Sequence, residues 1–86
     1  MTAETITVKV KLFAIYQEVL ETSELDLLLT KPTTVANVLA LLIEQKPELA
    51  QWRDVTRFGV NLQFVSEDRL LADGDEVVLI PPVSGG

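Results

Sequence analysis

Eighty-six residues are enough for one compact domain and too few for two. Apolar residues make up 48% of the chain and charged residues 23%, a globular balance that excludes intrinsic disorder. A net charge of −6, from 7 basic and 13 acidic residues, argues against nucleic acid as a partner, and zero cysteines and histidines exclude a disulfide framework, a zinc-thiolate site, a thiol nucleophile and a serine-histidine triad.

Ile6, Val8, Val10 and Leu12 alternate with Thr7, Lys9 and Lys11, the period of a half-buried strand. Phe13 then falls on the polar face of that alternation. Ala14 to Leu20 fits a short helix, and Thr22-Ser23 a turn. Leu25, Leu27 and Leu29 repeat the alternation as a second strand, which closes a hairpin-like unit with a long connection. Pro32 cannot donate to a ladder, and Thr34 is expected to cap the helix that follows. Val35, Val38, Leu39, Leu42 and Ile43 recur at helical spacing and need a sheet to cover. Lys46 suits the helix dipole in the last turn, and Pro47 stops the run.

Pro47 to Arg57 carries no regular signal; Leu49 and Trp52 are expected to close one edge of the core, and Tyr16 to pack at its rim. Phe58 to Asn61 and Gln63 to Val65 read as short strands around a tight connection. Ala72-Asp73-Gly74-Asp75 reads as a turn with Gly74 at positive φ, before an inner strand from Glu76 to Ile80. This order predicts an α+β fold, a β-grasp: a mixed sheet packed on one main helix, its first and last strands adjacent and parallel through a right-handed connection. Residues 1–80 would form this domain and residues 81–86 a flexible extended tail.

The catalytic inventory is thin. There is no phosphate-binding loop, no dinucleotide fingerprint and no calcium-loop spacing, and no metal site is expected. Asp73, Asp75 and Glu76 read as a solvated turn, and Lys9 and Lys11 as solubilising positions, with partner contacts as the alternative. The N-terminus carries no signal-peptide pattern, and the longest apolar run, Val38 to Ile43, is far short of the ~20 residues a membrane span needs. No membrane partner is expected, and a cytoplasmic location suits a chain without staples.

The C-terminus reads Pro81-Pro82-Val83-Ser84-Gly85-Gly86. The proline pair ends the sheet, and six extended residues reach roughly 20 Å. A Gly-Gly end places a carboxylate on backbone thin enough for a channel that any Cβ would block. Two terminal glycines arise by chance about once in 200 chains. A frayed end would account for them, but not for half of the four glycines following a proline pair so directly. Strand parity adds a second clue: Phe13, Val78 and Ile80 fall on the face opposite the helix, near the tail, with Phe64 as a possible fourth member. Two readings stand for that patch: loops cover it, or it is an acid-rimmed docking surface.

Lys11-Leu12-Phe13-Ala14, Pro32-x-Thr34-Val35, Val60-Asn61 with Phe64-Val65, Leu71-x-Asp73-Gly74-Asp75-Glu76-Val77 and the closing Pro-Pro-Val-Ser-Gly-Gly occur in an order that closely resembles the small-subunit family of molybdopterin synthase, ubiquitin-like sulfur carriers of molybdenum cofactor biosynthesis. The resemblance spans Ile6 to Gly86. Thr22-Ser23 departs from it where the family commonly has a glycine, and the segment before Ile6 is a few residues longer.

The resemblance implies that an activating enzyme uses ATP and magnesium to adenylate the Gly86 carboxylate, and that a sulfur donor converts it to a thiocarboxylate. The tail, Pro81, Pro82, Val83, Ser84 and Gly85 leading to Gly86, would enter the large synthase subunit and give sulfur to cyclic pyranopterin monophosphate. The assembly would be a heterotetramer in which this chain binds no cofactor and has no autonomous activity. Phe13, Phe64 and Ile80 stand where the family meets both partners. The rivals are a carrier for thiamine, tRNA thiolation or cysteine synthesis, a ubiquitin-like protein modifier, and a β-grasp interaction module with an inert tail.

Overall fold

The alternation of apolar and polar residues at the start of the chain forms β1 (Thr5–Leu12), in which Ile6, Val8, Val10 and Leu12 are buried. The structure, a computed structural model, describes residues 4–82. After β1 come α1 (Ile15–Leu20), β2 (Glu24–Thr30), α2 (Val35–Gln45), a 3₁₀ helix (Pro47–Val55), β3 (Arg57–Val60), β4 (Gln63–Val65) and β5 (Glu76–Ile80). They form a five-stranded sheet in the order β2-β1-β5-β3-β4, with β1 and β5 parallel and the other pairs antiparallel. The expected α+β architecture and inner position of the last strand are therefore observed.

Val35, Val38, Leu39 and Leu42 of α2 join the buried side chains of β1, β3 and β5 in one core. Each such aliphatic side chain contributes about 1.5–3 kcal/mol when removed from water. The helix start departs from expectation. Thr34 occupies the cap position in extended backbone, but its side chain makes no capping bond. The amides of Val35 and Ala36 instead donate to the carbonyls of Arg69 and Glu67, at 2.9 and 3.1 Å. A loop distant in sequence thus satisfies donors that a local hydroxyl was expected to meet. At the other end α2 stops at Gln45, so Lys46 lies just past the last turn, its amide bonded to the Leu42 carbonyl at 2.9 Å.

Tyr16 is fully buried rather than at the rim of the core, because α1 folds it inward and Thr56 supplies a partner for its hydroxyl. Leu49 is buried and Trp52 packs partly against the same cluster, on a segment that is a 3₁₀ helix rather than irregular. Gly74 has φ +85, as its turn requires, and its amide donates to the Thr7 carbonyl at 2.8 Å. Among the described residues, no helix is long and apolar enough to cross a membrane.

Candidate functional site: an open apolar sheet face

Parity sends alternate side chains of every strand to the face that α2 leaves uncovered. The register aligns Lys11 of β1, Val78 of β5, Gly59 of β3 and Phe64 of β4 in one row across the sheet. Ile80 shares the parity of Val78, and Phe13 follows β1 with the parity of Lys11. The four apolar residues singled out from the sequence, Phe13, Phe64, Val78 and Ile80, therefore lie together. With Lys11, Gly59, Leu62, Gln63 and Glu76 they line a depression of about 380 Å³. Phe13 is 50% exposed and Phe64 76%, so the described loops do not cover them.

Gly59 leaves the floor of this depression open between Val78 and Phe64. A Cβ there would meet the Gln63 carbonyl oxygen at 3.5 Å and Val78 Cβ at 3.6 Å, ordinary contacts, so packing does not demand the glycine. The rim is less acidic than expected. Lys11 Nζ stands 4.0 Å from Glu76 Oε1, and this exposed pair balances charge beside the patch while contributing about 0–1 kcal/mol.

β5 ends at Ile80, and Pro81 and Pro82 follow it. With Asp54, Val55, Thr56, Arg57 and Ile80 they border a second depression of about 540 Å³. The expected reacting end, Gly86 with Val83, Ser84 and Gly85, lies outside the described residues.

The turn preceding β5 holds this face in register. Asp73 Oδ1 accepts the Thr7 amide at 2.8 Å, and Asp75 Oδ2 accepts the Ala72 amide at 2.8 Å. Asp75 Oδ1 accepts Asn61 Nδ2 at 2.9 Å, and Asn61 Oδ1 accepts the Glu76 amide at 3.0 Å. The turn reads as solvated in the sequence, yet Asp75 is buried and every carboxylate oxygen it offers is bonded. Its signal would have been Asn61, a residue that tolerates positive φ and carries both a donor and an acceptor. On the helix side of the sheet, burial pushes the Tyr16 hydroxyl above its usual range.

A sequence model described as the ThiS family matches residues 10–86. The chain belongs to that family. It is 37% identical to the molybdopterin synthase sulfur carrier subunit of Aedes aegypti, over 96% of this chain and 92% of the relative. Against the protein of the same name from Chlamydomonas reinhardtii it is 35% identical, over 92% and 98% of the two chains. In structure it resembles small archaeal modifier protein 1 of Methanosarcina acetivorans, with a TM-score of 0.77, 30% identity and coverage of 96% and 99%.

Proposed function

We propose that this chain is the sulfur carrier subunit of molybdopterin synthase. The observation that carries the reading is the family match running through Gly86, together with a sheet whose central strand delivers the chain at Ile80 beside an open apolar face. Residues 1–80 serve as the docking body and 81–86 as an extended tail with Gly86 at its reacting end. The Gly86 carboxylate attacks the α-phosphate of ATP on an activating enzyme and expels pyrophosphate. Sulfide-level sulfur from a donor then attacks the acyl carbon and displaces AMP, leaving a thiocarboxylate.

Phe13, Phe64, Val78 and Ile80 dock on the activating enzyme and then on the large synthase subunit, where the tail hands its sulfur to cyclic pyranopterin monophosphate in the cytoplasm. Backbone rather than side chains carries the reacting group, which suits a chain without cysteine or histidine.

The test is an intact mass spectrum after incubation with ATP, magnesium, a molybdopterin-type activating enzyme and a sulfide source. The expected result is a mass gain equal to exchange of one terminal oxygen for sulfur, lost when Gly86 is deleted. No gain with an enzyme active on its own carrier would refute it. A second reading, a protein modifier, draws on the likeness to the Methanosarcina acetivorans protein. It requires stable conjugates to lysine side chains in cell extract, which a carrier does not form.

A further inference from the structure

The connection between β3 and β4 is two residues long, Asn61-Leu62, closed by the Val60–Gln63 pair. Both residues have positive φ, 51° for Asn61 and 70° for Leu62. Two-residue hairpin turns of this kind strongly favour Asn followed by Gly, because the second position is one that a Cβ resists. Here the first position holds the favoured residue and the second holds a leucine. Leu62 is 91% exposed, so it recovers nothing by burial within its own chain. A branched apolar side chain in a strained, solvated position is a cost to the free monomer on two counts.

The strain is held in place by named bonds. The Asn61 amide donates to the Glu76 carbonyl at 2.9 Å, and the Asn61 side chain bonds both Asp75 and the Glu76 amide. The hairpin tip is thereby locked to β5, the strand that carries Val78 and Ile80. Leu62 borders the same depression as Phe13, Phe64, Val78 and Ile80. A rigidly presented apolar tip beside an apolar hollow is the arrangement of an interface anchor, whose ordering cost is met before binding.

We propose that Leu62 is an anchor of the docking surface, entering an apolar socket of the large synthase subunit beside the contacts of Phe13 and Phe64. This rests on the docking surface given under the proposed function. It makes the residue a determinant of affinity that costs the free chain stability.

The test compares Leu62→Gly and Leu62→Met, with Phe13→Asp as the control, in the full chain. Thermal unfolding of the free chain and calorimetric titration with the cognate large subunit are the two measurements. Leu62→Gly should unfold at a higher temperature, because glycine adopts this φ freely, and should bind about tenfold more weakly. Leu62→Met should restore most of the affinity. If Leu62→Gly binds like the wild type while Phe13→Asp does not, the anchor is overturned and the docking surface stands. If both bind like the wild type, the docking surface itself fails. A lower unfolding temperature for Leu62→Gly would assign the leucine a structural role and also overturn the inference.

Discussion

Asp75 and Asn61, fourteen residues apart, are joined at 2.9 Å by a side-chain hydrogen bond that ties the β3–β4 hairpin to the start of β5. The same asparagine accepts the Glu76 amide, so one side chain completes the sheet where the backbone ladder turns away. Asn61→Ala removes both bonds, leaves a buried carboxylate oxygen without that donor, and places a Cβ residue with no compensating bond at φ 51°. The expected cost is roughly 2–3 kcal/mol, measured by urea unfolding. Asn61→Gly should recover only the backbone part. A cost under about 0.5 kcal/mol for the alanine variant would mean that the latch is not what holds the hairpin.

Tyr16 predicts an alkaline weakness. The Thr56 hydroxyl donates to the Trp52 carbonyl at 2.7 Å, so its single proton is committed and the Tyr16 hydroxyl is the donor toward Thr56. Burial raises the folded pKa above the ordinary 10.0. Below that ordinary value both folded and unfolded chains keep the proton, and the contribution is fully present. As pH rises past it the unfolded chain ionises first, and the contribution is lost through the folded value. Wild type should therefore lose stability relative to Tyr16→Phe above pH 10.0, while being about 1 kcal/mol more stable near neutrality. Parallel pH profiles of the two chains would contradict this assignment.

Phe13→Asp tests the sheet face as a docking surface. Phe13 is half exposed and its face is uncovered, so the variant should unfold within about 1 kcal/mol of wild type. Binding to both the large subunit and the activating enzyme should fall at least about tenfold, because a carboxylate would be buried against apolar surface. Unchanged titration curves for both partners would remove the patch from the mechanism.

Adding one alanine after Gly86 tests the tail. The extra residue moves the carboxylate and introduces a Cβ where the proposal has bare backbone. ATP–pyrophosphate exchange by the activating enzyme should disappear, while affinity for the body of the domain is retained. Normal exchange would show that the enzyme does not require a narrow passage.

Much of the fold was legible because short-range periodicity records burial. The alternation of Ile6 to Leu12 and of Leu25 to Leu29, and the helical stripe from Val35 to Ile43, each name the side that faces the core. Strand parity alone puts Phe13, Val78 and Ile80 on one face. Phe64 needed the register of β3 with β4 and β5, because a three-residue strand has too little pattern to declare its own parity.

The order of elements, the lack of cysteine and histidine chemistry and the family resemblance all follow from local spacing and residue identity. Only tertiary structure decided that Arg69 and Glu67 carbonyls start α2 in place of Thr34, that Thr56 receives the Tyr16 hydroxyl, and that Asp75 is buried against Asn61. Those partners are far apart along the chain. A polar group accepts whichever partner the closed fold brings within hydrogen-bond reach, and that reach is set by sheet register rather than by sequence spacing.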